Sequence, residues 1–172
     1  HWLEGQDAER GFDALLTASA EARAGYGWAG AAQFGERILS LWDQLAAPEE
    51  RVGPRWPLQS LLDRDWEYAG DIPRAIQLQD EAIAACPPEQ NLAHARMLRE
   101  NHRRRVRTST ASPADTLHRA LALVTPGHDP EDLSIRASIR VLQAADLLAQ
   151  GRSEHCGDVL TEARNAADDL AR

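Results

Sequence analysis

The sequence predicts an all-α fold built from stacked helix pairs, and three observations predict it. Apolar residues are 43% of the chain but aromatics only 5%, so Leu and Ala carry the core. With Arg, Glu and Gln these are helix formers, whereas sheets draw on β-branched and aromatic residues. Apolar side chains recur at three- and four-residue intervals, the spacing that gathers them on one helix face. Gly and Pro mostly fall between these stretches, cutting the chain into short segments.

About eight helices are expected, near residues 7–24, 28–46, 56–69, 71–86, 90–107, 113–124, 130–150 and 152–170. Gly25-Tyr26-Gly27 ends the first, and Ala46-Ala47-Pro48 through Pro54 separates the second from the third. Leu58, Leu61, Leu62 and Trp66 stripe the third helix. Gly70-Asp71 breaks the pattern, with Asp71 as N-cap and Pro73 tolerated in a first turn. The fourth helix carries Ala75, Leu78, Ala82 and Cys86 on one stripe, and Pro87-Pro88 stops it. Ser112-Pro113 reads as an N-cap followed by Pro at the first helical position. Pro126-Gly127-His128 precedes the last pair, whose first helix opens on Asp129-Pro130-Glu131-Asp132. There carboxylates complement the helix dipole. Each αα-hairpin must bury its apolar face against a neighbour. We therefore expect one helical-repeat domain over 1–172, with units near 7–46, 56–88, 90–126 and 130–172.

The stretch from Trp56 to Pro88 resembles a tetratricopeptide repeat, a motif of about 34 residues with small side chains where its helices cross. Gly70 matches the inter-helix turn, Ala75 and Ala82 the two small positions, and Pro87 the terminating proline. Weaker copies start near Phe12, His94 and Ala137, with Ala31, Ala120, Cys156 and Ala163 at small positions and Gly151 in the last turn. The implied fold is a tetratricopeptide-like αα-hairpin solenoid of four degenerate repeats.

The opening HWLEGQDAERGFDALLTASAEARAGYGWAGAAQFGERILSLWDQL and the later AGDIPRAIQLQDEAI are similar to segments of the large ATP-binding regulators of the LuxR type. Gly35 and Ile38 depart from that family's usual aromatic and alanine. The resemblance implies a sensor or interaction domain that binds an inducer or protein partner. It would relay binding to ATPase and DNA-binding modules outside this stretch of a bacterial transcriptional regulator. The start at His1, within what reads as a helix end, fits a segment of a longer polypeptide. A general tetratricopeptide protein–protein scaffold is the alternative.

Composition narrows the chemistry. All 19 basic residues are Arg, so neither a phosphate-loop lysine nor a Schiff-base lysine exists. A net charge of −8 opposes direct nucleic-acid contact. Cys86 and Cys156 have neither zinc nor disulfide-framework spacing, as expected in the cytoplasm, and no apolar run reaches membrane-spanning length. No enzyme motif, cofactor or metal site is expected. Gly25-Tyr26-Gly27-Trp28-Ala29-Gly30 matches a dinucleotide fingerprint but lacks a preceding strand, so it reads as a turn. His155-Cys156 reads as packing, and His94, His118 and His128 as exposed. Trp28, Trp42 and Trp66 read as core, while Trp2 could support homodimerisation.

Arg96, Arg99, Arg103 and Arg107 follow helical spacing and read as a solvated or internally paired stripe. Tetratricopeptide arrays line their concave face with first-helix positions, which the resemblance assigns to Arg64 and Glu67 in one repeat and His102 and Arg105 in the next. Arg23 takes the matching place in the first repeat. Arg23, Arg64, His102 and Arg105, with Glu67 partly neutralising them, are thus expected to form a groove for an inducer or acidic peptide. Guanidinium forks suit carboxylate and phosphate.

Overall fold

The computed structural model describes residues 8–45, 47–113, 115–124 and 129–170. It is helical throughout, with no strand among the described residues. The helices are α1 (Ala8–Ala24), α2 (Trp28–Trp42), α3 (Pro48–Val52), α4 (Arg55–Ala69), α5 (Ile72–Ala85), α6 (Asn91–Arg107), α7 (Thr116–Ala122), α8 (Pro130–Ala149) and α9 (Cys156–Leu170). Trp2, Ala46 and the Pro126–His128 stretch lie outside the described residues. Where one domain was expected, the chain groups into two compact units, His1–Ala85 and Cys86–Arg172, each taken by itself below.

In the first unit α1 packs on α2, α2 on α4, and α4 on α5. Phe12, Leu15, Ile38, Leu41 and Trp42 form the α1/α2 core, with Phe12 and Trp42 edge to face at 6.2 Å. Ala32, Leu39, Leu62 and Leu78 form the next layer, joining α2, α4 and α5. Gly70 takes the left-handed conformation at φ +93° that ends α4, and the Asp71 carboxylate accepts from Arg74 N at 3.0 Å. Both are the roles read from the sequence. Glu36 of α2 binds two later helices at once. It accepts from Trp66 Nε1 at 3.0 Å and from Arg74 Nε and Nη2 at 2.7 and 2.8 Å.

The expected helix 28–46 stops at Trp42, and the expected connector forms α3. Pro48 sits in its first turn, and Glu49 and Glu50 favour its N-terminus. Arg51 then reaches back to α1, pairing with Asp13 at 2.5 Å and lying over the Phe12 ring at 5.8 Å. A long-range ion pair of this kind is invisible to local pattern.

In the second unit α6 packs on α7, α8 on α9, and both α6 and α7 touch α8. Ala95, Leu98, Leu117, Ala120, Ile139, Ala144, Cys156 and Ala163 are buried. The arginine stripe of α6 is sewn to α8: Arg96 pairs with Glu131, and Arg99 Nη1 donates to Ser138 Oγ at 2.9 Å. Asp129 caps α8 by accepting from Glu131 N at 2.8 Å, and Gly151 turns the chain at φ +73°. Among the described residues no helix is long and apolar enough to cross a membrane.

The helix expected over 113–124 spans only Thr116–Ala122. Ser112, read as its N-cap, has its hydroxyl 3.0 Å from His102 Nδ1 instead. The helix starts one turn later, at Thr116, whose hydroxyl donates to Pro113 O at 2.8 Å. His94, expected to be exposed, is half-buried, with Nε2 enclosed and making no hydrogen bond.

Candidate functional site

The five residues expected to line a groove divide between the units. In the first, Arg23 Nε meets both oxygens of Asp65 at 2.9 and 2.8 Å, and Nη2 adds a contact at 2.8 Å. Asp65 is 1% exposed, so Arg23 serves to neutralise a buried carboxylate. Arg64 is exposed on α4 and Glu67 is half-buried. In the second unit Arg105 donates from Nε to Asn101 Oδ1 at 2.8 Å and from Nη1 to Ala111 O at 3.1 Å. His102 is buried. Of the five, Arg64 presents its guanidinium to solvent most fully.

His102 borders a feature the sequence did not reveal, a cavity of about 540 Å³ within the second unit. That volume lies inside the range typical of small-molecule sites. The cavity lies where α7, of seven residues, meets the twenty-residue α8 and the start of α9. Arg140, Gln143, Asp146 and Leu147 line the cavity from α8 and Gln150 from its C-cap, spaced as neighbours on one helical face. Arg152 and His155 follow from the turn after α8, and Asp158 and Val159 from the first turns of α9. Leu117 and His118 of α7 complete the wall.

The polar groups differ in how far they are committed. His102 Nε2 lies 3.0 Å from Asp146 Oδ2, and Ser112 holds the opposite ring nitrogen. A neutral ring donating from Nε2 and accepting at Nδ1 satisfies both partners. Serine, histidine and carboxylate in one chain is the order used in nucleophilic catalysis. Ser112 is not in the cavity wall, however, so a bound molecule meets the His102–Asp146 pair and not the hydroxyl. Arg140 pairs with Glu162 and donates to Gln143 Oε1 at 3.0 Å. Gln143 is 8% exposed, with its Oε1 occupied by Arg140. Arg152 and Asp158 form no ion pair among the described residues, with each other or elsewhere. No group of three or more His, Cys, Asp or Glu among them is placed to hold a metal ion.

Beyond His102, sequence reasoning missed this wall. One signal was present: polar side chains at Arg140, Gln143 and Gln150 continue a single helical stripe where a core would demand apolar ones.

The first unit carries a second exposed feature. Tyr26 and Tyr68 are 79% and 63% exposed and flank Trp28, with ring centroids 6.1 and 4.6 Å from it. Trp28, expected in the core, therefore sits at its edge. Gly25-Tyr26-Gly27 is the expected turn, with Gly27 N donating to Ala22 O at 2.8 Å. Compared with described protein families, curated proteins and solved structures, the chain matches none of them.

Proposed function

We propose that this chain is the sensing part of a larger regulatory protein, a helical-repeat module whose second unit takes a small polar ligand. The observation carrying this reading is the cavity beside α8: enclosed on several sides, partly apolar, with a few convergent polar groups. Burial of Ala75, Ala82, Ala120 and Ala163 at small positions, with helices packed mainly on their chain neighbours, supports the tetratricopeptide-like solenoid. The resemblance to LuxR-type ATP-binding regulators supplies the context, in which occupancy is relayed to ATPase and DNA-binding modules in the cytoplasm.

The test is a thermal-shift and calorimetric survey of the chain against sugars, nucleotides, organic acids and amino acids. A ligand of this site raises the melting temperature, and Gln143→Trp, which fills the cavity, abolishes the shift. Shifts indifferent to Gln143→Trp would exclude the cavity as the sensing site.

The protein–protein scaffold reading is favoured by the Tyr26–Trp28–Tyr68 surface, since Tyr, Trp and Arg dominate binding hot spots. An acidic peptide held by Arg64 belongs to the same reading. Peptide binding weakened by Tyr68→Ala or Arg64→Ala, and untouched by Gln143→Trp, would decide for it.

A further inference from the structure

Resting on the sensing role of the cavity, we infer that its ligand is a small zwitterion of the amino-acid type with an apolar side chain. The argument begins from charge balance. With histidines neutral, Arg140 and Arg152 oppose Asp146 and Asp158 in the cavity wall, so the wall favours no net charge. Committed groups then leave the count. Arg140 is held by Glu162, and Asp146 shares its charge with His102. Arg152, with only the fully exposed Glu154 charge beside it, and Asp158 remain, opposite charges in one cavity with no ion pair between them.

A simple anion would satisfy Arg152 but lie near Asp146 and Asp158. A simple cation would satisfy the carboxylates but lie near two guanidiniums. A molecule bearing both charges satisfies each without repulsion, its carboxylate on Arg152 and its ammonium on Asp158 with Asp146 adjoining. The guanidinium fork suits the carboxylate. Two further observations fit. Gln143, nine-tenths buried in the wall with its oxygen on Arg140, offers its amide N–H to a ligand carbonyl or carboxylate. Leu117, Leu147 and Val159 supply apolar contact for a side chain.

Calorimetry on the full chain, with the twenty amino acids and leucyl-leucine as probes, tests this. Each binder is then compared with its amide, which lacks the carboxylate, and with its deaminated acid. The best zwitterion is expected to bind at least tenfold more tightly than either derivative. Arg152→Gln weakens the zwitterion about tenfold and leaves the amide unchanged. Asp158→Asn weakens it similarly and leaves the deaminated acid unchanged. Both substitutions are at exposed positions, and unchanged melting curves verify the fold. If a sugar, inorganic phosphate or singly charged acid binds instead, and Gln143→Trp removes that binding, the zwitterion is wrong and the cavity reading stands. If nothing binds, or Gln143→Trp changes nothing, both fall.

Discussion

Gly35 lies in the middle of α2, where an alanine would ordinarily raise helix propensity. A methyl group there would sit 2.5 Å from Leu62 Cδ1 and 3.3 Å from Cγ and Cδ2, and Leu62 is fully buried. Gly35 is thus the seat for a leucine from α4. Gly35→Ala gains about 1 kcal/mol of propensity against about 1–3 kcal/mol for overpacking. Net destabilisation on the order of 1 kcal/mol is expected in urea unfolding, relieved by adding Leu62→Val. A more stable Gly35→Ala would mean the helices separate freely. Arg23 is the second case. Removing it by Arg23→Gln strands the buried Asp65 charge, and breaking such a pair costs about 3 kcal/mol or more. If Arg23→Gln melts like the parent, the arginine is available for ligand after all.

At the scale of elements, capping separates what local sequence dictates from what tertiary contacts overrule. The α4–α5 turn was legible because its determinants are adjacent: Gly70 supplies the left-handed residue and Asp71 the cap. Asp71→Ala is expected to cost about 1 kcal/mol, seen as faster amide exchange in the first turn of α5; unchanged exchange would deny the cap its role. Ser112-Pro113 carried an equally good local signal and failed: the helix starts at Thr116, and the Ser112 hydroxyl lies on His102, ten residues back. The same failure concealed the candidate site. Its wall gathers residues of α6, α7, α8 and α9 that lie far apart in sequence. Arg140, Gln143 and Asp146 were read as an ordinary helix face, since nothing local says that no side chain covers them. His102 was singled out by repeat position, but its contacts are with Ser112 and Asp146. Composition and periodicity therefore gave the helices and most of their ends, while the site needed distances between segments.

Over the whole molecule, the acid response reads out two half-buried groups of the second unit, and their signs agree. Burial, with the Arg119 charge nearby, holds His94 below the usual histidine value. The unfolded chain then binds the proton more readily, so this stability is complete above about pH 6.5 and declines as pH falls through the lowered value. Glu100 is subject to burial, which opposes ionisation, but hydrogen bonds and charge from Arg103 and Arg99 outweigh it and hold its carboxyl below the ordinary range. Its contribution is present above the usual glutamate value and lost on further acidification. Unfolding free energy should therefore fall in two successive windows, the first below about pH 6.5 and the second below about pH 4.5. His94→Leu removes the enclosed, unsatisfied Nε2 along with the titration, so it should flatten the first window and leave the second. Glu100→Gln should do the reverse, and urea titrations at closely spaced pH values measure both. An unchanged upper window in His94→Leu would deny the enclosed ring that role, whereas its loss ties the neutral-range response to a single half-buried side chain of α6.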